Sequence, residues 1–358
     1  MNKKSSQKSE IVIEINGFVA AIVAIVLVLA MITAILVFVF ISRDEDEEVI
    51  PDETTVNVTE EPSVPADVNK TPLYPTNATR TSYKIDTSDS VVILEGEDFI
   101  ASNNTILVKL GSDSMTAIVE KNADAKIYPA SMTKVMTLIV ACERVTDLSE
   151  MLTVTETEAQ YMAEQGGSGV GLKVGESYSV EDLIYLISYQ SDTVAAILIA
   201  NHIAGSEEAF VELMNQKVEE LGLSGTHFAN CTGLHNENNY STCRDMASIM
   251  AYALDNEFAY KCLSGFIGRP MTVGGVDCTF YSTWYSTRFR DNPRLSTVTV
   301  KAAKTGYIDE SGMSLVSFAI GSDGQKYINV IVGQPKGSGL DATKSTAEVK
   351  KIYNTYAK

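Results

Sequence analysis

Ser131 stands three residues before Lys134 in YPASMTKVMT, Tyr128 to Thr137, at the head of an apolar-periodic run. A serine hydroxyl attacks a carbonyl only when a base removes its proton. A lysine can be that base if burial or a nearby cation keeps it neutral. Pro129 favours a turn entry, and Ala130 to Val145 has helical spacing, so the two side chains share a face one turn apart. A helix start also presents unpaired N–H groups, which suit an oxyanion forming beside the serine. An isolated pair of this kind is more often a helix cap and a solvated lysine. Its company decides. Ser191 follows in SYQSDTVAA, and Lys304, Thr305 and Gly306 follow in VKAAKTGYIDESG at the end of an alternating strand.

The elements that must bring these stretches together are legible in outline. VVILE, TILVKL and MTAIVE read as strands after Val91. SVEDLIYLISYQSDTVAAILIANHIAG reads as a helical stretch opening with a capping box, Ser179 to Asp182, and ending near Gly205. EEAFVELMNQKVEELGL and RDMASIMAYAL are amphipathic, the second with Thr242 as N-cap. STVTVKAAK, MSLVSFAIG and YINVIVG return to strand, and STAEVKKIYNTYA closes as a helix. Strands at both ends with helices between predict an α+β fold with one antiparallel sheet flanked by helices.

With those residues placed, the chain resembles the serine-type D-Ala-D-Ala carboxypeptidases, the low-molecular-mass penicillin-binding proteins. EKNADAKIYPASMTK, GLKVGESYSVEDLIYLI, THFANCTGLHNENNYSTCRDMA and KTGYIDESG carry the resemblance, in order, over most of Val91 to Gly333. It implies a β-lactamase/transpeptidase-like domain with a helical subdomain and no cofactor. It implies that Ser131 forms an acyl-enzyme with a peptidoglycan stem peptide ending in D-Ala-D-Ala, and that β-lactams inhibit covalently. Lys134 would be the base and Ser191 a proton relay. Lys304, Thr305 and Gly306 would bind the terminal carboxylate end of the substrate. The N–H groups of Ser131 and Tyr307 would form the oxyanion hole. Lys304 would also hold Lys134 deprotonated by like-charge repulsion. Thr193 occupies the position where the family has asparagine in Ser-x-Asn, and is expected to touch substrate with a hydroxyl in place of an amide. A β-lactamase of the same fold and a catalytically silent envelope scaffold or β-lactam sensor are the alternatives. No Glu-x-x-x-Asn segment lies between Lys134 and Lys304 to favour the first; Thr193 is what favours the second.

Other patterns set the surroundings. Gly17 to Ser42 holds no charge and, as a helix, exceeds the ~30 Å hydrocarbon core. Lys3, Lys4 and Lys8 precede it, so residues 1–16 are expected in the cytoplasm, 17–42 in the membrane and the rest outside. The formal charge is −18, and Asp44 to Lys70 carries ten acids and one base. Residues 43–82, acidic and Thr/Pro-rich, are expected to be a disordered linker, and 83–358 the catalytic domain. This balance excludes a nucleic-acid partner. Five cysteines allow at most two disulfides, with no C-x-x-C pair. Three histidines, His202, His227 and His235, offer little for a metal, and none is expected. Gly166, Gly167, Gly169 and Gly171 suggest a loop edging the cleft. His235 with Arg244 and Asp245 is not read as a triad, since no G-x-S-x-G elbow exists. Ser102-Asn103-Asn104 precedes the nucleophile, and Ser188-Tyr189-Gln190 is out of step with its helix. Trp284 in FYSTWYSTRF is expected in aromatic packing.

Overall fold

Alternating apolar residues and tight turns build a six-stranded sheet whose strands lie in the order Ile85–Ile93, Met115–Lys121, Asn104–Leu110, Lys326–Gln334, Gly312–Gly321, Val298–Ile308. The computed structural model describes residues 72–358, apart from 79, 97–98, 290–291 and 335–341. The expected anchor 17–42 and most of the linker lie outside the described residues. Among those described, no single helix is long and apolar enough to cross a membrane.

The sheet strands are β1 (Ile85–Ile93), β2 (Asn104–Leu110), β3 (Met115–Lys121), β8 (Val298–Ile308), β9 (Gly312–Gly321) and β10 (Lys326–Gln334). Short ladders β4 (Met151–Thr153) with β5 (Ser177–Ser179), and β6 (Arg269–Val273) with β7 (Val276–Phe280), stand apart. The β6–β7 hairpin was not anticipated from sequence. Nor is the main sheet wholly antiparallel: β1 pairs with β3 in parallel, Ile85 opposite Met115. The reason is topological. A tight turn, Gly111 N–H to Ser114 C=O, forces β2 and β3 antiparallel, whereas β1 meets the free edge of β3 with all of β2 intervening in sequence.

Both sheet faces are covered. Ile106 and Val108 of β2 enter one core with the helices, while Leu107 between them enters a second core under the C-terminal helix. Burial on both faces explains why these strands read as nearly continuous apolar runs. The first core holds α1 (Lys134–Arg144), of which only Glu143 and Arg144 escape full burial. Around it lie α2 (Glu156–Gln165), α3 (Val180–Tyr189), α4 (Thr193–Ala204), α5 (Glu207–Glu220), α6 (Cys243–Leu254) and α7 (Glu257–Ser264). The second core packs α8 (Ala342–Tyr356) and Trp284 against the other face.

Two expectations shift. The stretch from Ser179 to Gly205 is not continuous: α3 and α4 are separate helices, divided at Gln190–Asp192, where Ser191 adopts φ +56°. Residues inside the expected linker, 43–82, also touch the domain. Leu73 N–H donates to Val145 C=O, Tyr74 stacks on Phe258 at 5.0 Å, and Asn256 Nδ2 donates to the Tyr74 carbonyl. Leu73 and Tyr74 thus already lie against the domain. All five cysteines are free thiols, four of them buried.

Candidate active site

The turn that carries Ser131 is strained and tightly supported. Ala130 to Thr133 form a 3-10 turn leading into α1, so Ser131 sits one turn before the α-helix proper. Ala130 has φ +50°, a left-handed conformation that disfavours a side chain. Two glycines hold it there. A Cβ on Gly233 would lie 2.0 Å from the Ala130 carbonyl oxygen, and one on Gly306 would lie 3.2 Å from Ala130 Cβ. The first contact seats the turn on the Asn230–Gly233 loop and the second seats it on β8. Ser131 itself is half-buried, and its hydroxyl makes no hydrogen bond among the described residues.

Lys134 opens α1 with its side chain sealed inside, 1 % exposed. Its ammonium donates to the Thr232 carbonyl at 2.5 Å. Burial lowers its pKa to about 8, against the raising influence of Cys231, Asp192 and Glu207. The loop bearing Thr232 is held on all sides. Thr137 Oγ1 donates to Cys231 C=O at 2.7 Å, Asn230 Oδ1 accepts the Gly233 N–H at 2.7 Å, and Glu207 Oε1 accepts the Cys231 N–H at 3.0 Å.

Ser191, 6 % exposed, lies in the break between α3 and α4 and faces β8. Lys304 Nζ donates to its Oγ at 3.0 Å and to the Thr305 carbonyl at 3.1 Å. The break is fixed by Asp192, whose Oδ1 caps α4 at Ala195 N–H (2.9 Å) and whose Oδ2 accepts Val170 N–H (2.8 Å). Thr193 N–H donates to Ser168 C=O, so the glycine loop is pinned to this corner. The Thr193 side chain, expected to touch substrate, is 1 % exposed and lies against that loop, where a Cβ on Gly167 would stand 2.4 Å from its Oγ1. That hydroxyl is buried without a hydrogen-bond partner among the described residues.

The third stretch lies on β8, the edge strand, whose outer side is bridged by residues 293–295 near Thr299 and, among the described residues, pairs with no strand at Lys304–Tyr307. Lys304 is 1 % exposed, and its pKa is held well below the ordinary lysine value by burial, then by Lys134 and Arg288. The two ammoniums repel one another, and burial is the largest cause lowering each lysine. Thr305 Oγ1 stands 3.2 Å from Thr283 Oγ1, and the Tyr307 hydroxyl donates to Asp309 Oδ1 at 2.5 Å. Ser314 of β9 lies opposite Gly306 and donates to its carbonyl.

Sequence reasoning missed Thr232, Gly233, Glu207, Thr283 and Arg288. Only the Gly in THFANCTGLH carried a signal, as a position fit for φ > 0; it has φ +79°. The remaining candidates are structural. Ser102 Oγ donates to Glu348 beneath the sheet, and Ser188 Oγ donates to Cys262 C=O. Arg244 is engaged with Asp124 and Glu120, and His235 lies edge-on to Tyr128 at 5.0 Å. Trp284 is fully buried among Phe266, Tyr285 and Phe289, its indole N–H on Leu263 C=O at 2.9 Å.

This arrangement can be set beside known proteins. The family model described as D-alanyl-D-alanine carboxypeptidase matches residues 92–336. The chain is 31% identical over 253 residues to D-alanyl-D-alanine carboxypeptidase DacF of Bacillus subtilis, covering 70% of this chain and 62% of that relative. It is 31% identical over 263 residues to DacA of Escherichia coli, covering 70% and 60%. The matched region thus spans somewhat under two thirds of the curated relatives' lengths. The structure of penicillin binding protein 5 from Haemophilus influenzae shares the fold, with a TM-score of 0.61, 24% identity, and coverage of 73% and 72%. Matched over residues 92–336, which hold all three stretches that meet at the crevice, the chain belongs to the D-alanyl-D-alanine carboxypeptidase family.

Proposed function

We propose that the chain is a serine-type D-Ala-D-Ala carboxypeptidase that trims peptidoglycan stem peptides through an acyl-enzyme on Ser131. The observation that carries this reading is the crevice itself. Two ammoniums, each 1 % exposed, face one another closely enough to interact, Lys304 bonded to Ser191 Oγ and Lys134 at the end of the strained turn of Ser131. Burial favours a neutral lysine, which is the state a base must have to accept a proton.

In this reading the substrate's terminal carboxylate lies at Lys304 and Thr305, and its backbone pairs along the open edge of β8. Lys134 Nζ takes the proton of Ser131 Oγ as Oγ bonds to the carbonyl carbon between the two D-alanines. The N–H groups of Ser131 and Tyr307 hold the resulting oxyanion. Collapse breaks the C–N bond, and the departing amine receives a proton through Ser191. Water then attacks the ester carbon and gives a proton to Lys134; the bond from that carbon to Ser131 Oγ breaks as Lys134 returns the proton to Oγ, freeing the shortened peptide and the enzyme. β-Lactams enter the same path and stop at the ester. Gly17 to Ser42 anchors the chain with its N-terminus in the cytoplasm, as the charge bias around it supports.

The test is paired. A fluorescent penicillin labels the wild type covalently, and a D-Ala-D-Ala pentapeptide yields free D-alanine; Ser131→Ala does neither. Equal labelling of the alanine variant would refute the assignment. Protease accessibility in intact cells tests the orientation, since an extracytoplasmic domain is cleaved and a cytoplasmic one is spared.

A further inference from the structure

Behind Lys134 lies a polar cluster that the reaction above does not use. Glu207, the first residue of α5, is half-buried. Its Oε1 accepts the Cys231 N–H at 3.0 Å and stands 3.4 Å from the Tyr161 hydroxyl, which comes from α2. That same hydroxyl lies 3.4 Å from Thr232 Oγ1. The loop so held presents the Thr232 carbonyl, which takes the Lys134 ammonium at 2.5 Å. One carboxylate therefore joins two helices and the loop that docks the lysine.

We propose that Glu207 is a positioning residue for the acylation base: with Tyr161 it clamps the Asn230–Gly233 loop, and so fixes the one carbonyl against which Lys134 rests. The proposal rests on the reading of Lys134 as base. It has an electrostatic consequence as well as a geometric one. The groups that bear on Lys134 are Glu207 of α5, Asp192 at the cap of α4, Cys231 of the loop and the ammonium of Lys304 on β8. Glu207 in turn meets Cys231, Glu208 and Tyr161. The Glu207 carboxylate favours the charged lysine, so removing its charge favours the neutral form that accepts the serine proton.

Glu207→Gln keeps an oxygen for the Cys231 N–H and discards the charge. Glu207→Ala discards both. Glu208→Gln, the exposed neighbour, makes the same charge change in solvent. The rate of acylation by a fluorescent penicillin, measured from pH 5.5 to 9.5 on the full chain, reads all three. The acid limb of Glu207→Gln moves to lower pH by about half a unit or more. Glu207→Ala acylates about tenfold or more slowly at every pH, as a misplaced base does. Glu208→Gln follows the wild type. A purely structural Glu207 would lower the melting temperature of both variants yet leave the limb of Glu207→Gln in place, and that result overturns the proposal. A wild type that is never labelled at Ser131 overturns the reading of the site, and this inference with it. A labelled wild type with an unmoved limb overturns this inference alone.

Discussion

Lys304 Nζ and Ser191 Oγ lie 3.0 Å apart although 113 residues separate them in sequence. This bond closes the crevice, because it ties the break between α3 and α4 to the edge strand β8. Its other acceptor is the Thr305 carbonyl beside it. Ser191→Ala therefore leaves a buried ammonium with one partner fewer and, in the proposed mechanism, removes the proton path to the leaving amine. Acylation by penicillin is expected to fall about 10²-fold or more, in line with losing a positioned proton-transfer group. Stopped-flow labelling checks this, and a rate within threefold of wild type would reject the relay.

A second expectation concerns pH. Burial sets Lys134 near about 8, so acylation rises with pH through that value. The same shift bears on stability. An unfolded lysine titrates near ~10.4, so between about 8 and ~10.4 the unfolded chain binds a proton that the native chain does not. Stability therefore rises with pH across that window, and the full deficit holds below about 8. Lys134→Met removes the deficit and abolishes labelling. It is expected to gain about 1–2 kcal/mol at pH 7, after allowing for the bond lost at the Thr232 carbonyl. Melting at pH 7 and pH 10 checks the sign: a gain undiminished at pH 10 would show that the charge is not its source.

How much of this was readable beforehand depends on the kind of signal. Ser131, Lys134, Lys304 and Thr305 were legible because they are reactive types at short fixed spacings. The helix break at Ser191 was not readable, because apolar residues keep their spacing on both sides of it and φ leaves no mark in composition. The parallel pairing of β1 was hidden for a similar reason, since alternation records which face is buried but not which neighbour is paired. Glu207 and Tyr161 looked like ordinary polar positions on amphipathic helices. Only their distance to the Thr232 loop reveals a role. Burial, the largest cause lowering both lysines, was not readable either, since it is a tertiary quantity.

Thr193 offers a test of local strain. Its hydroxyl is buried without a partner among the described residues and presses on Gly167, which has φ +130°. Thr193→Val keeps the shape and removes the stranded polar atom, so it should stabilise the domain by about 1 kcal/mol. Gly167→Ala should do the opposite, because its Cβ would lie 2.4 Å from Thr193 Oγ1 in a conformation that disfavours a side chain. Urea unfolding with a common slope measures both. A valine variant less stable than wild type would show that the hydroxyl has a partner, such as a water.

The support of the nucleophile turn is the remaining expectation. Gly233 has φ +79°, and the space where its Cβ would stand is taken by the Ala130 carbonyl at 2.0 Å. That contact leaves no room for relaxation by a flexible side chain, since the atoms the Cβ would meet, of Ala130 and Ser131, belong to backbone. Gly233→Ala must displace either the Asn230–Gly233 loop or the turn. Displacing the loop moves the Thr232 carbonyl away from Lys134; displacing the turn moves Ser131 away from both. Each route separates base from nucleophile, so acylation should fall by about 10²-fold even where the domain stays folded. Destabilisation of about 1–3 kcal/mol accompanies it, as for other overpacked sites. Gly324→Ala, at φ +85° in the β9–β10 turn with open space around its Cβ, carries the backbone penalty without the clash. If the two variants lose stability equally and both still acylate at the wild-type rate, the close approach of Gly233 to Ala130 is not what holds the serine in place.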